Sequence, residues 1–137
     1  MGLESQSEGA AANRLLIVDD EPDITRIIEI TARKLGFEVM SIHDSNRFEQ
    51  GLEQLRPTII FLDITMPDRD GLELIGHLAA RNYAGQVVVM SGKDERYIQI
   101  SSAIGRTRGL SVAGTLTKPF RKDALQDLLI RLSLPPD

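Results

Sequence analysis

A doubly wound α/β domain, with five parallel strands in the order 2-1-3-4-5, is the fold this sequence predicts. Two patterns carry the prediction. From Arg14 to Leu132, short apolar runs alternate with stretches of helical periodicity, which makes five β-α units. The first, third and fourth runs are continuously aliphatic, as strands covered on both faces are. The second carries Glu38 and Ser41, and the fifth carries Gly114 among Thr and Ser interruptions, so these two suit the edges.

Leu15-Leu16-Ile17-Val18 is the first strand, and it runs into Asp19-Asp20. Pro22 stands where a first-turn proline is tolerated, and Ile24, Ile27, Ile28, Thr31 and Leu35 keep helical spacing until Gly36 stops the helix. Phe37 to Ile42 is a short strand with partial alternation. Phe48, Leu52 and Leu55 mark a second helix, closed by Arg56-Pro57. The run Thr58-Ile59-Ile60-Phe61-Leu62 is the third strand and ends in Asp63. Gly71 to Arg81 is a helix on Leu72, Leu74, Ile75, Leu78 and Ala79. Gln86 to Met90 is a strand ending in Ser91. Asp94 to Arg108 is a polar helix on Tyr97, Ile100 and Ile104, ending near Gly109. Val112 to Thr117 is the last strand, and Asp123 to Leu132 the last helix, with Leu125, Leu128, Leu129 and Leu132 on one face. The small, polar residues 1–13 read as a flexible leader, 14–132 as one folded domain, and 133–137 as a tail or the start of a linker.

Composition narrows the function classes. With 42% apolar and 26% charged residues in 137, the chain can bury a core of ordinary size. A net charge of -4 without a basic stripe argues against direct nucleic-acid binding. The absence of cysteine excludes disulfides, thiolate metal sites and cysteine nucleophiles. No apolar run approaches the ~20 residues of a membrane span, and Met1 to Asn13 lacks the pattern of a signal peptide, so the cytoplasm is the expected compartment.

The chemistry follows from the strand ends. In an open parallel sheet, ligands sit at the carboxyl ends of the strands, at the switch point between strands one and three. The predicted order brings Asp19, Asp20 and Asp63 together there, with Ser91 and Lys118 beside them. Two carboxylates about 4 Å apart repel by roughly 4 kcal/mol at an effective dielectric of 20, so the cluster calls for a cation or a shared proton. Hard oxygen donors without His or Cys favour Mg²⁺. A carboxylate held beside Mg²⁺ can attack phosphorus, while Lys118 and the Ser91 hydroxyl bond phosphoryl oxygens. Acidic residues before a proline-started helix also serve as simple caps, and Met66-Pro67-Asp68-Arg69-Asp70-Gly71 reads equally as a turn leading into a helix. His43 and His77, without an acidic or histidine partner at ligand spacing, are read as surface residues. Arg106, Arg108, Arg121 and Lys122 are read as a solvated face.

Taken in order, these motifs resemble response-regulator receiver domains of two-component signalling systems. They are Asp19-Asp20, Asp63 with Met66-Pro67 and Asp70-Gly71, Ser91-Gly92, and Lys118-Pro119-Phe120. The resemblance spans about residues 14–132 and implies a flavodoxin-like receiver fold. It implies that Asp63 accepts a phosphoryl group from a sensor histidine kinase or a phosphotransfer protein. It places Mg²⁺ on Asp19, Asp20, Asp63 and the backbone carbonyl of Thr65, a conformation-reporting hydroxyl at Ser91, and the phosphate-binding lysine at Lys118. It also implies a cis Lys118-Pro119 bond. One position departs from the family: Thr115 stands where an aromatic residue usually couples to the hydroxyl. The stretch from Gly109 to Lys118 is similar to receivers attached to cyclic-di-GMP phosphodiesterase domains, which points to an output of that kind.

Two alternatives accompany this reading. A small Mg²⁺-dependent phosphatase would share the aspartyl phosphate, but Asp63-Ile64-Thr65 lacks a second acid two residues on to act as general acid. A receiver-like interaction domain with little phosphate-dependent switching would fit Thr115. A nucleotide-binding Rossmann domain would need a glycine-rich loop after the first strand, where there is none.

Overall fold

Both faces of β1 (Arg14–Val18) are covered, which is why its residues are aliphatic without alternation. Leu16 and Val18 enter one core, and Leu15 and Ile17 the other. β1 pairs in parallel with β2 (Glu38–Ile42) on one side and β3 (Ile59–Asp63) on the other. β4 (Gln86–Ser91) follows β3, and β5 (Ser111–Thr117) forms the far edge. The order β2-β1-β3-β4-β5 is the one expected from strand composition. The computed structural model describes residues 13–66, 71–92 and 95–133. The expected leader before Asn13 and tail after Ser133 lie outside the described residues. So do 67–70 of the turn after Asp63 and the expected helix start at Asp94.

Helices α2 (Phe48–Leu55), α3 (Gly71–Ala80) and α4 (Glu95–Thr107) cover one face, on a core that includes Phe48, Leu52, Leu74, Leu78 and Ile98. Helices α1 (Pro22–Lys34) and α5 (Lys122–Leu132) cover the other, through Ile28, Ala32, Leu125 and Leu129. Gly36 has φ +92°, where an L side chain is strained, and it closes α1 with Gly36 N–H on Arg33 O and Phe37 N–H on Ala32 O. Phe37 is therefore the buried residue after the cap, and β2 begins one residue later than expected.

The inner face of α4 differs from the expected one. Ile100 is 56% exposed, while Ile98, Ser101, Ser102 and Gly105 are buried. Close approach to the sheet is the reason: a Cβ on Gly105 would lie 3.1 Å from Val112 Cγ2. Only small side chains fit that gap, and they carry no hydrophobic signal. β5 also contains a bulge opposite Val87/Val88, and the edge carbonyls of Val112 and Ala113 accept from Arg106 and Arg131. Arg106 is thus an edge cover, not simply part of a solvated face.

Candidate functional site

The register of the sheet builds the site. Val18 is level with Leu62, and Asp63 with Met90, so Asp19 and Asp63 leave adjacent strands at the same height. Ser91 is level with Thr117, which delivers Lys118 to the same end. Asp19 and Asp63 are buried, and Asp20 is half-buried. One oxygen from each of these three carboxylates lies within 4.8 Å of the others.

Lys118 Nζ lies 3.0 Å from Asp63 Oδ2, 2.8 Å from Asp19 Oδ2 and 2.6 Å from Glu21 Oε1. Burial alone would push its ammonium towards the neutral form. Hydrogen bonds to Asp19 and Glu21, with the charges of Asp19 and Asp63, outweigh that and hold it above the ordinary lysine range. Burial raises the Asp19 carboxyl to about 6, assisted by the charge of Asp63 and opposed by Lys118 and the Glu21 N–H. Asp63 Oδ1 accepts from both Thr65 N–H, at 2.9 Å, and Thr65 Oγ1, at 2.7 Å.

These residues fit a hard divalent cation. Besides clustering with two other carboxylates, Asp19 is buried, and the Lys118 ammonium 2.8 Å from its Oδ2 offsets only part of the cluster's negative charge. An open cavity of about 290 Å³ adjoins the cluster, lined by Asp20, Glu21, Asp63, Thr65 and Gly92. Ser91 is fully buried at the end of β4, one residue behind that lining, and its backbone carbonyl accepts from Lys118 N–H. The Lys118-Pro119 bond is cis.

The sequence profile of the response regulator receiver domain family matches residues 15–130. The chain belongs to this family. The receiver is similar to a response regulator from Colwellia psychrerythraea of known structure, at 31% identity and a TM-score of 0.78, over 88% of this chain and 96% of that one. A signal receiver domain from Bermanella marisrubri is 27% identical with a TM-score of 0.72, over 88% and 98% of the two chains. The transcriptional regulatory protein TrcR of Mycobacterium tuberculosis is 29% identical over 121 residues, which is 87% of this chain and 43% of TrcR. The chain therefore spans less than half the length of that curated relative. No helix among the described residues is long and apolar enough to cross a membrane.

Four contacts of the receiver were not read from its sequence. Glu21 joins Lys118 across 97 residues, with no local pattern to announce it. The His43 ring Nδ1 lies 3.0 Å from the Asp19 carbonyl oxygen, and His77 meets Glu49 of α2, so neither histidine is without a partner. The Thr65 hydroxyl binds Asp63, whereas only the Thr65 carbonyl was expected to matter. Thr115, at the usual aromatic position, is exposed on the edge strand, level with Val89.

Proposed function

We propose that this receiver takes a phosphoryl group on Asp63 from a sensor histidine kinase or a phosphotransfer protein, in a Mg²⁺-dependent reaction. The observation that carries the reading is the Lys118 ammonium, held 3.0 Å from Asp63 Oδ2 beside two further carboxylates at the wall of an open cavity. An Asp63 oxygen forms a bond to phosphorus as the donor's P–N bond breaks, and the histidine nitrogen leaves with the electron pair. Lys118 bonds a phosphoryl oxygen, and the Ser91 hydroxyl, once turned towards the site, bonds another. Asp19, Asp20, Asp63 and the Thr65 carbonyl would hold Mg²⁺, which when bound screens these carboxylates from the incoming anion. The new charge then biases a surface read by a partner or by an output domain. With Thr115 exposed and not aromatic, that bias leaves the site by a route other than a hydroxyl-to-aromatic coupling.

Intact mass after treatment with acetyl phosphate is the test. Wild-type protein gains one phosphoryl group in Mg²⁺ and none in a chelator; Asp63→Asn gains none, and Ser91→Ala still gains it. Equal gain in Asp63→Asn would remove the proposal.

A further inference from the structure

The side chain of Glu21 does not do what its position suggests. Glu21 is the N-cap of α1, yet it makes no side-chain cap bond to the helix; its carboxylate reaches Lys118 at 2.6 Å instead. An ammonium has three N–H bonds, and three carboxylate oxygens already stand around Lys118 Nζ. A phosphoryl oxygen can approach it only by displacing one of them. Asp19 and Asp63 are fixed and buried, at 0% and 2% side-chain exposure, whereas Glu21 is 58% exposed on a longer side chain and lines the cavity.

We infer that Glu21 is an internal competitor for Lys118, a tethered anion that the phosphoryl group must displace, and so a positioning residue that sets how readily this receiver is phosphorylated. The inference rests on the reading of Asp63 as the acceptor. In the unphosphorylated protein Glu21 occupies the outward side of the ammonium. In the phosphorylated protein it swings into solvent, a motion its exposure permits, and the phosphoryl oxygen takes its place. The backbone N–H of Glu21, which donates to Asp19 Oδ1, is untouched by a change of side chain.

The test compares Glu21→Ala, Glu21→Gln and Asp23→Asn with wild type at saturating Mg²⁺. Asp23→Asn removes the same unit of charge from the first turn of α1, at an exposed position for which no contact with Lys118 exists. Both Glu21 variants should take phosphoryl from acetyl phosphate about two- to fivefold faster, the range set by loss of an exposed ion pair, and bind beryllium fluoride tighter by a similar factor in calorimetry. Asp23→Asn should match wild type. Glu21 variants no faster than wild type, or an Asp23→Asn variant as fast as they are, would overturn the competition while leaving the acceptor reading intact. A wild-type chain that gains no mass at all would overturn the acceptor reading and the competition with it.

Discussion

Lys118 Nζ and Asp63 Oδ2 meet at 3.0 Å although 55 residues separate them in the chain. β3 and β5 are not neighbours in the sheet, and the contact spans the end of β4. It places one buried cation among carboxylates whose mutual repulsion it only partly offsets, and that imbalance governs the first two predictions.

Metal-free protein should lose stability as pH rises through the titration of Asp19. Its folded-state value of about 6 lies above the 3.8 of an unperturbed carboxyl, so the folded state binds the proton more tightly than the unfolded chain. The contribution is complete below pH 3.8 and is gone above about 6, and the difference corresponds to about 3 kcal/mol. Urea unfolding across this window in a chelator should show the decline. Asp19→Asn should flatten it and leave the variant more stable than wild type at pH 8, and Mg²⁺ added to wild type at pH 8 should restore stability.

Lys118→Met should be costly in the opposite sense. It leaves Asp19 and Asp63 buried without their cation, a loss of about 3 kcal/mol at pH 8 without metal. At pH 5, where Asp19 is protonated, the loss should be smaller. A penalty that does not depend on pH would mean that the lysine stem, not its charge, supports the fold.

Gly71→Ala tests how tightly the start of α3 is set against the site. A Cβ there would stand 2.3 Å from Ile64 Cα, which is backbone and cannot rotate away. We expect at least about 1–3 kcal/mol of destabilisation in the urea midpoint and a slower mass gain at Asp63, because Ile64 and Thr65 must shift. Unchanged stability would show that the loop yields freely.

Ser101→Ala and Ser102→Ala should stabilise the protein. Both hydroxyls are buried in α4 without a hydrogen-bond partner among the described residues, and alanine is the better helix former. A gain of about 1 kcal/mol for each substitution is expected from urea unfolding. A loss of that size would reveal a bound partner for these hydroxyls.

The strands and their order were readable because parallel strands buried on both faces must be aliphatic throughout, and Leu15 to Val18 and Val87 to Met90 are. Asp19, Asp20, Asp63 and Lys118 could be gathered from the same information, since strand order decides which carboxyl ends are adjacent. The buried face of α4 was not readable. Gly105 lies against Val112 of β5, where a larger side chain would crowd, and Ser101 and Ser102 are buried on the same helix, so these positions look polar or neutral where a core position should look apolar.

By itself, then, the sequence determined a doubly wound sheet, its two edge strands and an acidic switch point facing one lysine. All of these follow from local periodicity combined with the rules of strand connection. Only the tertiary structure decided that Glu21 leaves its helix uncapped to reach Lys118, that Thr65 holds Asp63 through its hydroxyl, and that α4 buries serines and exposes Ile100. The Glu21 contact and the buried face of α4 depend on segments far apart in the chain, and the Thr65 contact, although only two residues long, depends on how the strand end is held in the packed sheet.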